Sequence, residues 1–499
     1  MACLSTNRCA EHEHRLYSPA GGSQVLIDSF SSNDLARLAS RGISLEEASR
    51  QLRLLRSAPK YARLVRPCTP GDGIETIAAA RFDALAAAHA AVAGRSGCAS
   101  FIPASGAASR MFQDLDKPGA GGELLGRWSR FAFAGESAAN VSRLPKGLLA
   151  FHAYEDGPRT PLEEHLVEAA AINRDAQGVC RLHLTVSAEH LPRFREALER
   201  ARHRYESSLR TRFDVVFSMQ DPATDTLALG ADGEPARGAD GELVLRPAGH
   251  GALLSNLASM HADIALIKNI DNVQRDEGRG PTILWSRTLA GRLEELRVKA
   301  SALRARLRDP SDAGASADAI AFASGVFHQA PRLGHAASGG GDPRALRQEA
   351  MAILDRPIRV CGVVPNSGEP GGGPFWVRDH EGAESLQIVE GAQVDPASRE
   401  QRALLASATH FNPVFMACEL AAAEGGRHDL TRFVDPDAAI ITRKAVAESE
   451  LTVLERPGLW NGAMAGWHTL FVEVPPATFT PVKTLMDLLR PEHQPPVRS

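Results

Sequence analysis

The 499-residue chain is 43% apolar and 23% charged, with a formal net charge of −4. That is an ordinary globular balance, and it supplies no basic field for nucleic acid. The seven cysteines (Cys3, Cys9, Cys68, Cys98, Cys180, Cys361 and Cys418) are odd in number and form no Cys-x-x-Cys pair. This argues against a zinc knuckle or disulfide framework and for a reducing compartment. No signal h-region and no membrane-length apolar run is read, so a cytoplasmic location is expected.

Residues 1–24 read as a polar arm and residues 1–95 as a helical N-terminal layer. Ala- and Leu-rich helical patterns run over 32–56 and 74–93, parted by a Pro- and Gly-containing segment at 66–73. The stretch FIPASGAASRMFQDL, residues 101–115, carries the first chemical signal. A buried strand is predicted over 98–102. Pro103, Ser105, Gly106 and Ser109 then let the backbone turn tightly and approach a ligand. Met111, Phe112 and Leu115 fall at helix spacing, so a helix is predicted to open near Ala107. Strand, small-residue loop and helix N-terminus make an anion site, with Arg110 able to fork onto a phosphate. The same composition also makes an ordinary tight turn, and neither P-loop nor dinucleotide-loop spacing is present.

A Gly/Ser/Ala-rich excursion over 116–143 offers Trp128, Phe131 and Phe133 as anchors, and Lys146 follows it. Thr160-Pro-Leu-Glu-Glu-His opens a helix predicted to reach about Asn173. Strands over 181–186 and 214–218 flank a helix over 192–212, and Gln220 follows the second strand. This alternation predicts a mainly parallel sheet with ligands beyond the carboxyl ends of its strands. Residues 227–245 read as a polar hairpin, and no repeat period is evident. PAGHGALLSN opens another turn and helix, and the strand over 263–268 ends in the polar cluster Asn269, Asp271 and Asn272. The basic amphipathic segment 287–307 reads as a surface helix, and 310–341 as loop-rich. A helix over 342–354, a strand over 358–364 and a Gly loop over 366–374 follow. Strands are predicted over 386–390, 434–443, 450–455 and 469–474, with a helix over 482–489. Nothing beyond Pro491 reads as folded.

Four stretches in this order resemble the UDP-sugar pyrophosphorylases, which are UTP–sugar-1-phosphate uridylyltransferases. They are SGAASRM with PKGLL; FSMQDPATDT; PAGHGALLSNL with IKNIDN; and TRKAV with VLERPGLWNGAMAGW and VEVPPATFTPVKTLMDLL. RPAGHGALLSNL, NSGEPGGGPFWV and ERPGLWNGAMAGW also resemble a bacterial family of about this length defined as a domain of unknown function. The loop holds one glycine where the pyrophosphorylases have several, their C-terminal β-helix has no counterpart, and residues 280–350 match no part of them.

The resemblance implies an α/β fold: a Rossmann-like mixed, mainly parallel sheet of the nucleotide-diphospho-sugar transferase type. A helical layer (1–95) would precede a catalytic domain (96–499) carrying an insertion at 280–350. It implies transfer of a nucleoside monophosphate, UMP from UTP, to a sugar 1-phosphate, with Mg²⁺ as cofactor. Nucleoside triphosphate and sugar phosphate would be the partners, with no nucleic acid and no membrane. Arg110, Lys146 and Lys483 would neutralise phosphates. Ala104, Ser105, Gly106, Ala107 and Ser109 would cradle the nucleotide. Gln220 would read the uracil edge, while Gly249 and His250 would face base and sugar. Asp271 would hold Mg²⁺ through oxygen, with Asn269 beside the sugar and able to assist. Glu390 would accept a sugar hydroxyl, and Lys444 matches less closely. Asp221 and Asp225 fit either a second metal pair or turn caps. Solvated lysines, a surface arginine and a structural histidine are the plain alternatives. A nucleotide- or sugar-phosphate-binding protein without turnover is the alternative function.

Overall fold

A computed structural model describes residues 29–106, 108–117, 120–329, 342–368, 371–422, 425–446 and 449–496. The chain forms two compact units. The smaller takes the chain up to Ala58, Asp225–Arg246 and Ile441–Leu454; the larger takes Pro59–Thr224, Pro247–Ile440 and the chain from Glu455.

The larger unit is built on a ten-stranded sheet. In chain order its strands are β1 (Thr69–Pro70), β2 (Gly73–Glu75), β3 (Cys98–Pro103), β4 (Val179–Thr185), β5 (Arg212–Ser218), β6 (Ile264–Lys268), β7 (Ile358–Pro365), β8 (His410–Phe411), β9 (Phe415–Glu419) and β10 (His468–Glu473). Their spatial order is β1-β2-β10-β7-β9-β6-β3-β4-β5, with β8 beside β7. Only β8 and β9 run against their neighbours. Pro103 lies level with Thr185, and Thr185 with Ser218, so β3, β4 and β5 end together. Phe101 lies level with Ile267, bringing the end of β6 to the same edge. This is the mixed, mainly parallel Rossmann-like sheet expected from the sequence.

The long helices pack against one face, with Cys98, Ile102, Ile264, Val360 and Leu470, while Leu257, Trp376, Leu386 and Trp467 pack against Phe101, Ile267, Cys361 and Phe471 of the other. The principal helices are α1 (Phe82–Gly94), α2 (Pro161–Ile172), α3 (Leu191–Leu209), α4 (Gly280–Arg308), α5 (Ala315–Phe327) and α6 (Pro343–Leu354). The start of α2 follows its sequence signal: Thr160 and Glu163 form a reciprocal capping box, with Pro161 at the first helical position. Phe194, Leu198, Ala201 and Tyr205 of α3 pack with Leu182, Leu184 and Phe213 of β4 and β5.

Helix α4 departs from the reading as a solvated surface helix. It starts seven residues earlier than expected and sits in the core. Its buried face mixes Leu289, Leu293 and Leu296 with Ser286, Thr288, Ala290, Gly291 and Ala300, so no broad apolar stripe shows in the sequence. A Cβ on Gly291 would stand 1.9 Å from the Leu85 carbonyl oxygen, so only glycine lets α1 and α4 approach this closely. The stretch expected to be loop-rich contains α5, anchored by Ala315, Ala319, Phe322, Ala323 and Phe327; residues 330–341 lie outside the described residues.

Other segments also differ from expectation. Residues 59–95, grouped by sequence with the N-terminal layer, belong to the larger unit. Gly73 has φ +88°, and Ile74 pairs with Phe471 of β10, so a strand replaces the start of the helix expected over 74–93. The helix expected to open near Ala107 is described from Ala108 to Asp116 and is of the 3₁₀ type. Asp435 caps a turn with its own downstream backbone, delaying the strand expected over 434–443 to Ile440–Val446. The expected C-terminal helix is a 3₁₀ turn, Leu485–Leu489, boxed by Thr484 and Asp487. Residues 492–496 are ordered parts of the fold as well: the buried His493 ring stacks on His152, with Nδ1 2.8 Å from His152 Nε2.

The smaller unit holds helices Ser32–Ser40 and Leu45–Arg56 and a hairpin from Thr226–Leu229 to Leu245–Arg246. A short repeat is present in that hairpin, contrary to the sequence reading. Gly-Ala-Asp-Gly-Glu occurs at 230–234 and 238–242, and in each copy the Glu amide donates to the Asp Oδ1. Glu234 pairs with Arg56 and Glu242 with Arg37, while Arg237 between them meets Asp34 at 2.8 Å. The Arg237 guanidinium holds Asp34 down to about 2.

Candidate active site

The end of β3 passes into a loop whose Ala104 is buried, its amide donating to Thr185 O at 2.9 Å. Ser105 and Gly106 are exposed, and a Cβ on Gly106 would meet nothing within 4 Å. The loop is fixed by its carbonyl: Gly106 O accepts from the Lys146 amide at 3.1 Å. Lys146 therefore stands beside the loop despite the long excursion between them. At the end of β6, Ile270 N donates to Pro103 O, which brings the Asn269–Asn272 turn to the same place.

Three charged groups converge there. Lys146 Nζ lies 3.0 Å from Asp271 Oδ2 and 3.1 Å from Val482 O. Lys483 Nζ lies 3.7 Å from the same Asp271 oxygen. The side chains of Lys146 and Asp271 are 14% and 11% exposed, while that of Lys483 is 46% exposed. Two ammonium groups around one carboxylate leave the cluster with net charge +1, suited to a polyphosphate. The backbone ties the pieces together, since Val482 N donates to Asp271 O at 3.0 Å.

A second group forms around His250. Gly249 has φ +75°, a left-handed conformation that favours glycine, and a Cβ there would stand 2.9 Å from Glu455 Oε2. The His250 ring stacks on Trp460 with centroids 4.0 Å apart. Its Nδ1 accepts from the Leu459 amide at 2.9 Å, which places the proton of the neutral ring on Nε2, 3.8 Å from Glu390 Oε1. Burial lowers His250 to about 4, so the ring is uncharged at neutral pH. Trp460 Nε1 donates to Glu390 Oε1 at 3.2 Å. Burial raises the Glu390 carboxyl against the pull of that bond, and Glu455 adds to the rise. Glu390 lies against Gly372, whose partner Asn412 directly follows β8 beside the end of β7. Both groups therefore stand at the carboxyl edge of the sheet.

The structure thus brings together Ala104, Ser105, Gly106, Lys146, Asp271 and Lys483, and separately Gly249, His250 and Glu390. Gln220 follows β5 and donates to Thr224 Oγ1 at 3.3 Å. Asn269 is half-buried in the β6 turn, its carbonyl accepting from Asn272 N. Ala107 and the side chains of Ser109 and Arg110 lie outside the described residues. Lys444 lies in the smaller unit, as does Asp225, which pairs with Arg41 at 3.0 Å. Asp221, in the larger unit, caps its own turn by accepting from Ala223 N at 2.9 Å. Sequence reasoning singled out neither Trp460 nor Glu455; both lie in the quoted stretch VLERPGLWNGAMAGW, and a tryptophan beside glycines was the available signal.

Magnesium can be tested against the donors. Among the described residues no group of three or more His, Cys, Asp or Glu side chains could hold a metal. Mg²⁺ commonly takes one or two carboxylates and completes its shell with water and substrate phosphates. Asp271 alone meets that need, because the Asn272 side chain is engaged by Thr478 and Thr480.

No described helix is long and apolar enough to cross a membrane. No curated protein matches the chain. Among solved structures, UDP-N-acetylglucosamine pyrophosphorylase from Trypanosoma brucei in complex with an inhibitor is 13% identical, with 95% of this chain and 85% of that chain covered and a TM-score of 0.50. UDP-glucose pyrophosphorylase from Leishmania major in complex with UDP-glucose is 15% identical over 95% and 79% of the two chains, with a TM-score of 0.48. The first of these likenesses, together with the sheet order, gives the chain a nucleotidyltransferase-type fold. Residues 31–120 and 133–494 match the model of the family described as a domain of unknown function (DUF4301), and the chain belongs to that family.

Proposed function

We propose that the protein is a nucleotidyltransferase that moves a nucleoside monophosphate, UMP from UTP, onto a sugar 1-phosphate and releases pyrophosphate. One observation carries the reading: Asp271 lies between Lys146 and Lys483 beside the Ala104–Gly106 loop, at the carboxyl edge of a parallel sheet. An oxygen of the sugar phosphate attacks the α-phosphorus, and the new O–P bond replaces the bond to the β-phosphate oxygen. The electron pair leaves on pyrophosphate. The nucleophile is already ionised near neutral pH, since a phosphate monoester has its second pKa at about 6, so no side-chain base is needed.

Catalysis then rests on positioning and charge. Lys146 and Lys483 hold the triphosphate and offset the charge that grows on the leaving pyrophosphate. Gly106 leaves open space for a phosphate, and Arg110 in the following segment adds a cation. Asp271 would hold Mg²⁺, which supplies charge neutralisation across neighbouring phosphate oxygens. Gln220 reads the base, while His250, Trp460 and Glu390 receive the sugar. The test is pyrophosphate release with Mg²⁺, each nucleoside triphosphate in turn and a panel of sugar 1-phosphates. Release that requires one triphosphate and one sugar phosphate together supports the reading. Mg²⁺-dependent triphosphate binding with no release favours a binding protein instead.

A further inference from the structure

A buried ion pair lies just behind Asp271. Lys268, the last residue of β6, and Glu168 of α2 are both buried, with Nζ 2.9 and 2.7 Å from the two carboxylate oxygens. Burying such a pair costs desolvation, and a well-packed apolar pair is often as stable or more so. Its third hydrogen bond suggests a directing role. Lys268 Nζ also donates to Gln274 Oε1 at 3.2 Å, which turns the Gln274 amide nitrogen the other way. Gln274 Nε2 donates to Asn272 Oδ1 and to Thr478 O, each at 3.3 Å. Asn272 Oδ1 also accepts from Thr480 N at 3.0 Å, and its Nδ2 donates to Thr478 O at 3.3 Å. An ammonium can only donate, so each amide in this series has one permitted orientation. Two residues on, Val482 accepts from Lys146 and donates to Asp271 O, and Lys483 follows.

We infer that the Lys268–Glu168 pair is a positioning device that sets the orientation of the Gln274 and Asn272 amides and thereby locks the 478–483 segment against the 269–272 turn. This fixes Lys483 and the Val482 carbonyl relative to Asp271. The catalytic part of the inference rests on the proposed function; the mechanical part does not. Lys268, Gln274 and Asn272 are positioning residues.

Two variants test it. Lys268→Met with Glu168→Leu removes both charges together, so neither is left buried alone. Gln274→Glu keeps an acceptor for Lys268 but removes the donor to Asn272 and Thr478. In each folded variant, hydrogen–deuterium exchange at the Thr480 and Val482 amides should accelerate about tenfold or more, while β3, β4 and β6 exchange as in the wild type. Wild-type exchange at these two amides in either folded variant overturns the inference. An equal rise throughout the sheet also overturns it, since that marks a merely structural pair. These readouts hold whether or not the protein is an enzyme. Where the wild type releases pyrophosphate, kcat should fall about tenfold to a hundredfold, as for other groups that orient a site from behind. KM for the triphosphate should rise by a smaller factor than kcat falls, because both lysines are retained and only their placement loosens.

Discussion

Replacing Lys146 by methionine separates the proposed cation site from a merely folded loop. Methionine keeps most of the side-chain volume and removes the charge that sits 3.0 Å from Asp271 and 3.1 Å from Val482 O. Asp271 keeps Lys483 at 3.7 Å, so it is not left as an isolated buried charge. The stability loss should therefore be about 1 kcal/mol, well short of the ~3–5 kcal/mol that follows when a fully buried pair is broken. Binding should suffer more. A hydrogen bond to a charged group contributes about 1.5–3 kcal/mol, so calorimetric triphosphate affinity should drop about tenfold to a hundredfold. Turnover should fall a further ~100- to 1,000-fold, because charge on the departing pyrophosphate loses a preorganised donor. Thermal unfolding, calorimetry with UTP and pyrophosphate release measure the three effects on one preparation. A variant that folds and keeps wild-type affinity and turnover would refute the assignment of Lys146 to the phosphate site.

Asp271→Asn should have effects of opposite sign with and without metal. The three-group cluster rises from net +1 to +2, so metal-free triphosphate should bind at least as tightly as to the wild type, while the gain in affinity on adding Mg²⁺ should disappear. Calorimetry with and without Mg²⁺ decides, and an unchanged Mg²⁺ response counts against Asp271 as the ligand. Gly106→Val should fold, since a Cβ there meets nothing within 4 Å, yet it should lose triphosphate affinity by filling the space a phosphate needs; normal affinity counts against the loop. Acid should destabilise the fold through its buried histidines. Burial lowers His89, His165 and His250 to about 4, and His468 to about 3. The unfolded chain takes up these protons near the ordinary histidine value of about 6.5 and the folded chain does not, so stability is full above that pH and falls below it. Each group contributes up to ~1.4 kcal/mol per pH unit across the window from about 6.5 down to its folded value. Thermal unfolding at pH 7.5 and pH 5 checks this, and equal midpoints would contradict it.

What the sequence made legible follows from where its signals are local. The strand ends at Pro103, Ser218 and Lys268 showed because short apolar runs stop there at small or polar residues, and the alternation with helices implied a parallel sheet. The Thr160 cap was legible because its partners lie within one turn. Helix α4 was misread because its buried face relies on Ser, Thr, Ala and Gly, whose place in a core depends on α1 lying against Gly291. The C-terminal residues were missed because the buried His493 meets His152, 341 positions earlier. In the site, Lys146 and Asp271 each carried a recognisable residue type at a strand end or turn, but their meeting across 125 positions is a product of the fold. The Trp460–His250 stack and the amides of Asn272 and Gln274 were not legible for the same reason: they act through partners distant in the chain or through the orientation of an amide, which sequence spacing does not encode.

The most direct test of the central claim is phosphorus NMR of the wild-type protein with Mg²⁺, UTP and a sugar 1-phosphate, the Lys146→Met variant run beside it. The account predicts pyrophosphate and a new diphosphate diester appearing in equal amounts as both substrates disappear, with the variant slower by orders of magnitude. Orthophosphate without the diester, or product formed equally fast by the variant, would contradict it.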